Sequence, residues 1–186
     1  MNQLLQGIEY YLFHYVFKSF GLYTLFYILW ILFKRNNKSV KKYDAIACKL
    51  MGTIGIVMGI LVTVNTLLWY YQEATLEQQQ HYLQRLTGSY GYGIWFNPLL
   101  LLVLSQLLWI PFLRKALLYR LLTLPFFLFT IEQIIILTTS FHRDYLPSSY
   151  HTAIPILEII IALIGFLLVT GGIYYFLKKK GKISGE

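Results

Sequence analysis

The chain has 186 residues, 57% of them hydrophobic and 18% aromatic, but only 13% charged, with a formal net charge of +8. A water-soluble domain carries about a quarter of its residues as Asp, Glu, Lys or Arg, so half that charge excludes a soluble enzyme, and so much apolar content excludes a disordered chain. A single cysteine, Cys48, excludes an intramolecular disulfide framework and a CxxC redox pair.

The expected fold is all-α: one transmembrane domain over 1–186, a bundle of five spanning helices preceded by an amphipathic extension. A hydrocarbon core about 30 Å thick takes ~20 apolar residues of helix, and the apolar runs here are continuous rather than alternating, as in barrel strands. In the extension, Gln3, Gln6, Tyr10, His14 and Lys18 share one side at helical spacing, while Leu4, Leu5, Ile8, Leu12, Tyr15 and Val16 share the other. Such a segment lies in the outer interface or docks on a partner. It runs into span one, over about 14–33. Span two, 50–71, carries Gly52, Gly55, Gly59 and Thr63 down one face; Gly55 and Gly59 are packing candidates, because small residues let backbones approach. Residues 72–94 read as a short surface helix broken by Gly88, Gly91 and Gly93. Span three, 95–113, has Ser105 and Gln106 near its centre, and Pro98 in its first turn. The short stretch 114–120 predicts that spans three and four form an antiparallel hairpin. Span four, 121–140, has Glu132 and Gln133 near mid-depth; span five, 155–177, has Glu158 near its outer end and Gly165 and Gly172 as further packing candidates.

Orientation follows the basic residues. Lys34, Arg35, Lys38, Lys41, Lys42 and Lys49 lie between spans one and two, Arg114, Lys115 and Arg120 between three and four, and Lys178, Lys179, Lys180 and Lys182 after five. The amino terminus is therefore expected outside and the carboxyl terminus in the cytoplasm of a multi-pass protein in a bacterial plasma membrane, the inner membrane. The net charge reports this topology rather than a nucleic-acid partner. The expected partners are the lipid bilayer, anionic lipid at the cytoplasmic clusters, and other membrane subunits or further copies of the chain.

Polar groups deep in a bilayer are costly and face protein or water, which makes Gln106, Glu132, Gln133 and Glu158 the intramembrane candidates. Glu132 is expected either to share a hydrogen bond with an amide of span three or of a partner chain, or to handle protons. His14, His81, His142 and His151 show neither HExxH nor a zinc-type spacing with Cys48, so no metal, cofactor or catalytic residue is assigned. Gly91-Tyr92-Gly93 is preceded by Ser89-Tyr90 rather than the Thr-Val of a potassium filter. His142-Arg143-Asp144 lacks the rest of a kinase catalytic loop. The leading expectation is a non-catalytic integral subunit of a larger inner-membrane complex. The alternatives are a small proton- or ion-coupled transport component using Glu132, and a membrane enzyme acting on a lipid-linked substrate at the outer face.

Overall fold

A computed structural model describes residues 2–33, 37–88, 92–130, 133–136, 138–139 and 156–180, and among these residues all regular structure is helical. Helix α1 (Asn2–Tyr11) passes through a π-turn segment (Leu12–Val16) into α2 (Phe17–Phe33). The amphipathic extension is thus continuous with the first apolar helix. Helix α3 (Lys38–Leu68) follows and ends in a second π segment (Trp69–Glu73). It begins twelve residues ahead of the expected span two, because Asn37 caps it: the Asn37 carbonyl oxygen of the side chain accepts from the Ser39 N–H at 3.0 Å. Helix α4 (Leu76–Thr87) is the expected surface helix. A reciprocal capping box starts it, with the Thr75 N–H donating to Gln78 Oε1 at 2.9 Å and the Gln78 N–H to Thr75 Oγ1 at 3.4 Å.

Helix α5 (Tyr92–Leu107), the short α6 (Pro111–Lys115), α7 (Leu117–Leu128) and α8 (Ile156–Lys179) complete the set. Several expectations are corrected here. Span three stops at Leu107, since Pro111 drives Ile110 to extended backbone (φ −75°, ψ 116°) and the helix cannot pass through. Pro98 stands inside α5 rather than in its first turn, because α5 starts earlier, at Tyr92. Span four is interrupted: Phe129 is extended (φ −123°, ψ 146°), and a new helical turn begins after it. The Thr130 hydroxyl there accepts from the Gln133 N–H at 3.2 Å, offering the backbone an alternative to continuing α7. Among the described residues two helices are long and apolar enough to cross a bilayer, Lys38–Gln72 and Leu157–Lys179; Phe17–Phe33, Phe96–Leu107 and Leu117–Leu128 are shorter apolar helices.

The predicted hairpin of spans three and four is also corrected. Helix α5 packs mainly on α3, and α7 mainly on α2, with only slight contact between α5 and α7. The glycines explain the first pairing. A Cβ at Gly59 would lie 3.1 Å from Leu102 Cδ1, one at Gly55 would collide with the Ser105 hydroxyl, and one at Gly52 would collide with the Trp109 indole nitrogen. This order, 59 with 102 and 52 with 109, makes α5 antiparallel to α3. Gly21 does the same for α2 and α7, where a Cβ would sit 2.8 Å from Leu128 Cδ2. The shared core is aromatic: Phe20 meets Phe127 edge-on at 5.3 Å between centroids and Phe166 at 5.9 Å, joining α2, α7 and α8. Near the other end of the bundle, the Asn65 amide donates to Glu9 Oε2 at 2.7 Å, tying α1 to α3.

Candidate functional site

Asp44 lies in the second turn of α3, and Cys48 follows one turn later on the same face. Arg120 lies in the first turn of α7, and Tyr23 and Tyr27 lie one turn apart on α2. The register of α2 against α3 and α7 brings these five together. Arg120 Nη2 donates to Asp44 Oδ2 at 2.6 Å, and the two side chains are 2% and 5% exposed. The Tyr23 hydroxyl donates to the second carboxylate oxygen at 3.2 Å. Arg120 Nη2 also donates to Cys48 Sγ at 2.8 Å, Nε donates to the Arg114 carbonyl at 2.9 Å, and the guanidinium lies 4.7 Å from the Tyr27 ring centroid. A buried charge is tolerable only when paired and hydrogen-bonded, and Asp44 meets both conditions. Its lone pairs are directed at Arg120 and Tyr23, so it acts as the anchor of a cation rather than as a free base. The Cys48 thiol is fully buried and faces Arg120 and Asp44.

Beside the ion pair opens a cavity of about 430 Å³. Lys41 and Asp44 of α3, Arg114 and Lys115 of α6, and Arg120 of α7 supply its polar wall; Tyr27, Ile28 and Ile31 of α2 supply the apolar one. Four cationic side chains thus face one carboxylate.

The residues singled out by sequence fall elsewhere and do not gather into one site. Gln106 donates from Nε2 to the Gly52 carbonyl at 2.9 Å, locking α5 to α3, and lies 3.4 Å from Ser105 Oγ. Gln133 serves as a helix cap, its Oε1 accepting from the Thr130 N–H at 3.0 Å. Glu158 is exposed in the first turn of α8 and accepts from the Tyr15 hydroxyl at 3.1 Å. Gly55 and Gly59 face α5 as described, whereas a Cβ at Gly165 or Gly172 would meet no atom within 4 Å. Glu132, His142, His151 and the stretch 142–144 lie outside the described residues, as do Ser89, Tyr90 and Gly91. Among the described residues no three His, Cys, Asp or Glu side chains form a metal-ligating group.

Sequence reasoning counted Arg120 among the topology markers and did not consider Asp44. One signal was present: Asp44 is the lone acidic residue between Glu9 and Glu73, set among basic neighbours and one helical turn before Cys48. Nothing in the sequence pairs it with a residue 76 positions later. No protein family, no curated protein and no solved structure matches the chain.

Proposed function

We propose that the chain is a non-catalytic integral subunit of a larger inner-membrane complex, crossing the bilayer five times with its amino terminus outside. The observation that carries the subunit reading is the outward face of α8. Leu157, Ile161, Ile164, Leu168 and Tyr175 follow one another at intervals of three, four or seven and are 71%, 57%, 52%, 70% and 68% exposed. Gly165 and Gly172 border this stripe with open space before them. An apolar seam of that spacing, edged by small residues, is the surface that helices use to pack on one another within a bilayer. The scaffold, anchor or assembly role is supported by a bundle whose buried hydroxyls of Ser19, Ser105, Thr123 and Thr170 bind backbone carbonyls and whose buried carboxylate, Asp44, is paired with Arg120.

Five crossings are supported by register. The α3–α5 and α2–α7 pairs are antiparallel, and the contacts Asp44–Arg120 and Tyr43 hydroxyl to Leu167 carbonyl (2.9 Å) tie α3 to α7 and α8. The ends carrying Lys41, Lys115 and Lys179 then lie on one side, the arrangement that the positive-inside rule requires.

Photo-crosslinking residues at Ile161 and Leu168, with Leu122 of α7 as the comparison, test the subunit reading in intact membranes. A discrete protein adduct from the two α8 positions is expected. Adducts with lipid alone from both would overturn it.

The second reading, a proton- or ion-coupled transport component using Glu132, draws on one observation, the interruption of the span-four helix at Phe129. Broken helices near mid-membrane are a recurrent feature of transporter binding sites. Loss of transport by reconstituted Glu132→Gln with assembly intact would favour this reading over the first.

A further inference from the structure

We propose that the cavity between α2, α3, α6 and α7 binds a phosphomonoester. The reading stands whether or not the chain has partner subunits. Arg120 is 2% exposed, and its donors are unevenly used. Nη2 is taken up by Asp44 and Cys48 and Nε by the Arg114 carbonyl, yet Nη1 is buried with no hydrogen-bond partner among the described residues. Arg114 Nη1 is in the same state, and both arginines line the one cavity. Buried guanidinium donors left unpaired are costly, and two arginines that carry them in the wall of one cavity suit an oxyanion.

Charge narrows the class. Arg114, Lys115 and Arg120 stand against Asp44 in the cavity wall, and Asp44 is already joined to Arg120. An ion of about −1.5 to −2, the charge of a phosphomonoester near neutral pH, answers that excess better than a single carboxylate. The cavity, at about 430 Å³, has room for carbon attached to the phosphate, and Tyr27, Ile28 and Ile31 offer that carbon an apolar wall. The same chemistry is presented by a phosphatidate headgroup and by soluble inorganic or organic phosphate.

The test uses the full chain purified in detergent, with thermal unfolding followed as mixed phosphatidate–detergent micelles, phosphatidylcholine micelles or inorganic phosphate are added. Ligand that binds only the folded protein raises the midpoint. Phosphatidate is expected to stabilise and phosphatidylcholine not to. Arg114→Gln combined with Lys115→Gln is expected to weaken the effect about fivefold per charge removed, whereas Lys178→Gln with Lys179→Gln, at the end of α8, leaves it unchanged. If the double variant does not fold, Lys115→Gln alone is read in its place, with about a fivefold loss expected. Stabilisation by inorganic phosphate without phosphatidate, lost in the same variants, assigns the site to a soluble phosphate. Absence of any stabilisation, or an equal loss in the Lys178/Lys179 variant, overturns the proposal.

Discussion

Arg120 and Asp44 illustrate how a buried charge pair resists one substitution and tolerates two. Removing Arg120 leaves the Asp44 carboxylate 4% exposed with Tyr23 as its remaining strong donor. Arg120→Met should therefore destabilise the chain by about 3–5 kcal/mol, whereas the double change Asp44→Leu with Arg120→Met should be close to neutral, because both desolvation penalties vanish together. Unfolding in detergent measures both; a double variant as unstable as the single one would show that the pair does more than satisfy itself. At the glycines the governing term is space. Gly55→Leu places a bulky chain where a Cβ already collides with Ser105, and is expected to cost about 1–3 kcal/mol. Gly165→Leu, on an open face, should leave the stability of the isolated chain within about 0.5 kcal/mol. The sequence distinguished neither case, since small-residue spacing is the same on both helices and only the neighbour across the contact differs. Likewise Gln106 was legible as a residue that must face protein, but its acceptor, the Gly52 carbonyl, is a backbone group that no side-chain pattern announces.

Among the elements, the apolar helices were legible because continuous runs leave no other structure for them; their ends and partners were not. Helix α3 begins at Lys38, well before its apolar stretch, because capping by Asn37 acts over a few bonds and is indifferent to hydropathy. The break after Leu128 arises from Thr130 and Gln133 bonding each other's backbone, a local competition within a run that is otherwise apolar. Partner choice was misjudged because chain proximity was used in place of shape. The short connection 116 does join α6 to α7, yet α5 lies along α3, where three glycines admit it. Cysteines at Thr63 and Leu102, which line one groove between α3 and α5, should be joined by a short bifunctional thiol reagent in the folded chain. Failure of that pair to link, with both thiols shown to be reactive singly, would sink the α3–α5 pairing.

For the whole molecule the contested quantity is how many helices cross the bilayer. By length and hydropathy alone, only Lys38–Gln72 and Leu157–Lys179 qualify among the described residues, and a chain crossing only there would leave everything from α4 to α7 on the outer side. The contacts argue otherwise. Helix α5 runs back along α3 from Gly59 to Gly52, so Trp109 arrives near the end of α3 that holds Asp44. Arg120 then closes on Asp44 itself. If α3 spans, α5 returns through the same depth, and Arg114, Lys115 and Arg120 join Lys38, Lys41 and Lys42 on the cytoplasmic side. Lone arginines and lysines at that boundary are the ones that hold orientation. An impermeant thiol reagent on intact cells decides the matter, and Cys48 can remain in place because it is fully buried. Ser149→Cys is expected to label from outside, whereas Ser184→Cys is expected to label only after permeabilisation. The discriminating position is Phe112, 80% exposed on α6. Five crossings put Phe112→Cys inside, silent until the membrane is opened, whereas two crossings put it outside with Ser149→Cys. Labelling of Phe112→Cys in sealed cells would reduce the bundle to two spans and would overturn the Asp44–Arg120 contact and its cavity as well, because Asp44 stays at the inner end of α3.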